Sequence, residues 1–166
     1  MKILIIEDNP LHIKAAKKQL SEHELTICTS YAEAEMELCG WTRSRNVSDL
    51  IAKKLDFDAV LTDLFLPSSV KGTELEHATQ EERAALPEVP YGLVFAMFAL
   101  RKGIPVAIVS DMSHHKNPLC WAMDLIGGHY ALGGVKFFTS ELLIREDEER
   151  NEIKCWDKAL QYLMKD

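Results

Sequence analysis

Three acidic side chains stand directly behind short apolar runs: Glu7 and Asp8 follow residues 3–6, and Asp63 follows residues 59–62. Ser110 closes a similar run at 105–109, and Lys136 lies inside another at 135–138. Carboxylates gathered at one place raise one another's pKa unless a cation offsets the repulsion, so such a grouping calls for a metal ion, an ammonium group, or both. An all-oxygen donor set suits Mg²⁺, which Asp8, Asp63, a backbone carbonyl and waters could hold; zinc is poorly matched. With its charge offset, the Asp63 carboxylate is a candidate nucleophile toward a phosphoryl donor. Mg²⁺ and Lys136 would balance the phosphoryl oxygens and Ser110 would donate a hydrogen bond to them.

These residues are spread over most of the chain, so regular elements must bring them together. Residues 2–6, 25–29, 59–62, 105–109 and 135–138 read as strands, apolar enough to be buried on both faces. Between them, residues 11–22 carry Ile13, Ala16 and Leu20 at helical spacing, and 31–39, 92–102 and 118–126 also read as helices. A terminal helix follows from Ile153, Trp156, Leu160 and Leu163. Alternation of this kind predicts an α/β fold, a parallel sheet with helices on both faces, whose ligands bind at the carboxyl ends of the strands. Two stretches interrupt the alternation, near 40–55 and 68–91, and read as insertions, with helical pieces at 49–55 and 74–85. The acidic cluster at 146–149 reads as a solvated helix start.

Composition narrows the functional classes. A chain of 166 residues with 47% hydrophobic and 27% charged residues matches one folded domain spanning 1–166. The net charge of −7, with scattered basic residues, excludes an evident nucleic-acid footprint. The longest apolar run, residues 93–100, is far too short to span a membrane. Four cysteines without a CxxC pair indicate neither a zinc site nor a disulfide framework and fit a reducing cytoplasm.

The segments IIEDNP, AVLTDLFLP, PVAIVSD and GVKFF, at 5–10, 59–67, 105–111 and 134–138, resemble the response-regulator receiver family in order and strand-end placement. The resemblance implies a flavodoxin-like (βα)5 fold, with a five-stranded parallel sheet in the order 2-1-3-4-5. It also implies Asp63 as phosphoacceptor, Glu7 and Asp8 at the metal together with Asp63 and the Phe65 carbonyl, and Ser110 and Lys136 on the phosphoryl group. A receiver of this kind takes its phosphoryl group from a histidine kinase or phosphotransfer protein and signals by docking to a downstream protein, with homodimerisation possible. It is not a classical enzyme. The rival reading is a receiver-like interaction module that is not phosphorylated.

The chain departs from the family in several places. Phe137 follows Lys136 where proline is usual, Gly133 stands where an aromatic readout residue is usual, and Asp111 adds a fourth carboxylate. Phe65 and Met112 would flank the path of attacking water and slow hydrolysis. The helix at 93–100 is apolar on every face, so either the inserted segment or a second copy of the chain is expected to cover it.

Overall fold

The structure, a computed structural model, describes residues 1–39, 55–67, 79, 88–111, 128–140 and 143–165. Strand β1 (Lys2–Ile6) places four consecutive aliphatic residues in the interior, Ile3 to Ile6, each fully buried. Burial of that kind stabilises the fold by about 1.5–3 kcal/mol per side chain. Helix α1 (Pro10–Gln19) starts where the residue types dictate: the Asn9 side chain accepts from the Leu11 amide, and Pro10 occupies a position that needs no amide hydrogen. Its last turn carries Lys17 and Lys18 against the negative end of the helix dipole.

The chain continues through β2 (Glu24–Cys28), α2 (Tyr31–Cys39), β3 (Ala59–Thr62), β4 (Leu66–Pro67), β5 (Glu88–Val89), α3 (Tyr91–Arg101) and β6 (Val106–Val109). It ends with β7 (Gly128–Leu132), β8 (Val135–Ser140), β9 (Ile144–Glu146), β10 (Glu152–Lys154) and α4 (Trp156–Met164). The main sheet has the order β2-β1-β3-β6-β8-β7. Its first five strands are parallel and realise the expected 2-1-3-4-5 arrangement.

The sixth strand corrects the expectation of a purely parallel, five-stranded sheet. β7 pairs antiparallel with β8 around Gly133 and Gly134, whose φ angles of 61° and 83° are those a two-residue hairpin turn demands. The chain therefore doubles back along the sheet edge before β8 begins. Expected helical pieces at 49–55, 74–85 and 118–126 fall largely or wholly outside the described residues.

Alternate residues of each central strand feed two cores. Leu4, Ile6, Val60, Val106, Ile108 and Phe137 pack with α2 and α3, while Ile3, Ile5, Leu61, Ala107, Val109 and Phe138 pack with α1 and α4. This two-sided burial is why the strands read as continuous apolar runs. Tyr31 of α2 joins the layers on its side, 4.5 Å from the Tyr91 ring and 5.3 Å from Phe95. On α3, Phe95, Ala96 and Ala99 face inward, whereas Val94 and Met97 are exposed. Most of the segment expected to cover that face lies outside the described residues.

Two short hairpins complete the description. Leu66 pairs with Val89 and Pro67 with Glu88, which ties together the two ends of the segment 68–87. β9 pairs antiparallel with β10, with Ile153 opposite Arg145. Ile153 thus belongs to a strand, not to the terminal helix as its spacing suggested, and α4 begins only after Cys155. The acidic cluster is likewise a turn and not a helix start: the Asp147 side chain accepts from the amides of Glu149 and Asn151, and Arg150 takes φ 62°.

Candidate functional site

Strand register decides which side chains meet. Ile6 pairs with Thr62, and Thr62 with Ile108, so the residues that follow these strands leave from the same end of the sheet. The Asp63 amide donates to the Ile6 carbonyl at 2.8 Å and the Glu7 amide to that of Cys28 at 3.0 Å, fixing both acids on the last rungs of the ladder. Glu7, Asp8 and Asp63 each bring a carboxylate oxygen within 4.8 Å of the others. Ser110 is buried at the end of β6, where its amide donates to Ser140. Phe65 lies two residues beyond Asp63 with its ring in the core, so only its backbone carbonyl could serve as a ligand. Met112, the other apolar residue expected beside the path of attacking water, lies outside the described residues.

Lys136 is not part of this group. β8 runs parallel to β6 with Phe137 opposite Val106, so Lys136 stands at the start of the strand, while the crevice lies at its other end, where Ser140 faces Val109. The Lys136 ammonium donates to the carbonyls of Met164 and Lys165, at 3.3 and 3.1 Å, at the end of α4. This corrects the expectation drawn from GVKFF, and the apparent anomalies at Gly133 and Phe137, both counted from Lys136, lose their meaning with it.

A different lysine stands at the site. Lys154, the last residue of β10, is fully buried, with Nζ 2.7 Å from Glu7 Oε2 and 2.8 Å from Asp63 Oδ1. Its ammonium also lies 5.7 Å from the centre of the Trp156 ring. Gln19 braces its backbone: the Gln19 amide donates to the Lys154 carbonyl at 2.9 Å and accepts from the Asp157 amide at 3.2 Å. The sequence signal was a lysine between Ile153 and Cys155, directly before an amphipathic helix. Assigning that turn to the helix hid it.

Helix α3 abuts the site through Gly92. Its amide donates to the Leu64 carbonyl at 3.1 Å, and a Cβ there would lie 1.9 Å from the Asp63 carbonyl oxygen and 2.9 Å from Leu64 Cα. Only glycine permits that approach, because the obstacle is backbone. The Asp63 side chain is oriented from the same loop, with Oδ1 accepting from the Leu64 amide at 2.6 Å.

The electrostatics are those of crowded acids. Burial, reinforced by the Asp63 charge, pushes Asp8 up to about 6. Burial, and then the Glu7 charge, also raises Asp63 above the usual carboxylate range against the pull of Lys154. For Lys154, burial works against the ammonium, but Asp63 and Glu7 outweigh it and hold the group charged. Asp111, beyond Ser110, is instead pushed down to about 2, chiefly by a hydrogen bond from His12.

No family model matches the chain, and no curated protein matches it. Among solved structures it is similar to the receiver domain of the hybrid histidine kinase CckA, at 12% identity and a TM-score of 0.47, over 99% of this chain and 100% of that one. The fold is receiver-like. That statement rests on the strand order, the helices on both faces and the acidic group at the carboxyl ends of the strands, not on the degree of the likeness. Among the described residues, no helix is long and apolar enough to cross a membrane.

Proposed function

We propose that this chain is a cytoplasmic receiver, a single domain over 1–166, that accepts a phosphoryl group on Asp63 in a Mg²⁺-dependent reaction. The observation that carries the reading is the fully buried Lys154 ammonium held between Glu7 and Asp63, beside Asp8. A lysine there balances the charge of a carboxylate nucleophile and of the group it receives.

The residues fit a hard divalent cation. The donors are all oxygen, and Asp8 is raised by burial and then by the Asp63 charge, a repulsion that a divalent cation would offset. Glu7 already gives Oε2 to Lys154 and Oε1 to the Asn9 amide at 3.0 Å, so Asp8, Asp63 and the Phe65 carbonyl are the better direct ligands, with Glu7 acting through water. Bound Mg²⁺ supplies charge neutralisation for the incoming phosphoryl oxygens.

The chain's own groups do the rest. Asp63 Oδ1 is held by the Leu64 amide and Lys154, which leaves Oδ2 to attack phosphorus. An oxygen–phosphorus bond forms as the donor's bond to phosphorus breaks, and the donor leaves with that electron pair. Ser110, buried next to the site, donates to a phosphoryl oxygen. The natural donor is a histidine kinase or phosphotransfer protein, and output passes to a downstream protein by docking.

Incubation with acetyl phosphate and Mg²⁺, followed by intact-mass measurement of wild type and Asp63→Asn, tests this. A phosphoryl mass gain in wild type alone supports the reading. No gain in either favours a receiver-like interaction module that is not phosphorylated.

A further inference from the structure

Among the described residues, the buried His12 imidazole has one polar engagement from its ring. It belongs to the first turn of α1 and is 3% exposed, and its Nε2 lies 2.8 Å from Asp111 Oδ2. Among the described residues Nδ1 has no hydrogen-bond partner. A buried polar ring with an unsatisfied nitrogen costs stability that an apolar side chain would not, so the bond to Asp111 is what the ring contributes in return. The ring's backbone is fixed as well, since the His12 carbonyl accepts from Trp156 Nε1 at 3.0 Å.

Asp111 needs such a partner. It directly follows Ser110, and its charge acts on both Asp63 and Lys154. An unrestrained carboxylate at that point would repel an incoming phosphoryl group and compete with it for the Lys154 ammonium. We propose that His12 is a positioning residue that ties the Asp111 carboxylate away from Asp63 and so makes this site compatible with a bound phosphoryl group. The inference rests on Asp63 being the phosphoacceptor. It accounts for a fourth carboxylate beside a site that must receive an anion.

The test measures the rate of Asp63 phosphorylation by acetyl phosphate in wild type, His12→Ala, His12→Gln, Asp111→Ala and the double variant His12→Ala/Asp111→Ala. Cooperative thermal unfolding of each variant reports whether it is folded. Freed by His12→Ala, Asp111 should slow the reaction roughly tenfold. Asp111→Ala should match or exceed wild type, and the double variant should return to the Asp111→Ala rate. His12→Gln, which keeps a donor at the place of Nε2, should stay close to wild type. A contact that merely fastens α1 to the end of β6 predicts otherwise: Asp111→Ala would slow the reaction as much as His12→Ala, and the double variant would show no recovery. That result, or a folded His12→Ala protein as fast as wild type, overturns the inference alone. Failure of wild type to gain phosphate overturns the proposed function and this inference with it. Should His12→Ala not fold, the comparison of His12→Gln with Asp111→Ala decides, since slowing in Asp111→Ala is incompatible with the proposal.

Discussion

Lys154 and Lys136 stand at opposite ends of the parallel sheet and meet opposite kinds of partner. At the carboxyl end, Lys154 is fully buried among Glu7 and Asp63; at the amino end, Lys136 rests against the carbonyls that end α4. The first balances buried charge, while the second meets neutral dipoles near solvent, where such contacts are weak. A glycine marks each end too. Gly92 seats α3 against the Asp63 backbone, and Gly103, at φ 75° after the same helix, has open space where a side chain would go. The same residue types thus carry a site at one end and only shape the chain at the other.

Substitutions can break this contrast. Lys154→Met should have the largest effect, because it leaves two buried carboxylates without their ammonium: denaturant unfolding should show a loss of about 3–5 kcal/mol. Adding Mg²⁺ should recover part of it. Gly92→Ala should come next, costing about 1–3 kcal/mol through forced displacement of the Asp63–Leu64 backbone and depressing phosphorylation along with stability. Gly103→Ala, strained only by its own φ, should cost about 1 kcal/mol and leave phosphorylation unchanged. Lys136→Ala should change stability by less than about 1 kcal/mol in the same assay and leave the phosphorylation rate intact. Matching losses for the two lysine variants would erase the distinction between the ends.

Acidity sharpens the contrast in a different way. Asp8 has its folded pKa raised, so the folded state binds protons more tightly than the unfolded chain between about pH 4 and about pH 6. Stability from this group therefore falls as pH rises through that window, and the penalty is complete above it. Mg²⁺ should offset it there: the rise in melting temperature on adding Mg²⁺ should be larger at about pH 7.5 than at about pH 5. An equal rise at both values would count against the acidic cluster as the cation site.

Much of the carboxyl end was legible because its residues stand directly behind uninterrupted apolar strands. Glu7, Asp8, Asp63 and Ser110 follow β1, β3 and β6 at once, and in a parallel sheet the ends of such strands must converge. Lys136 misled because a motif does not fix where its strand ends: GVKFF lies in a parallel strand, as expected, but that strand runs on to Ser140, and register puts its lysine at the start. Lys154 was hidden because the chain leaves the sheet after β8 and returns through a hairpin whose final apolar residue is in phase with the helix beyond it. The antiparallel β7 was hidden for a related reason. A glycine pair such as Gly133-Gly134 marks a turn without showing which element precedes it.

The pairing of Leu66 with Val89 and of Pro67 with Glu88 gives the long connection after β3 a closed neck close to the Asp63 loop. Chain beyond such a neck costs only about 0.6 kcal/mol of closure entropy for each doubling in length, so the length of this connection can vary at little entropic cost. The neck is thus an exchange port: foreign peptide grafted between residues 68 and 87 should leave the seat of Gly92 in place while setting a new surface next to Asp63.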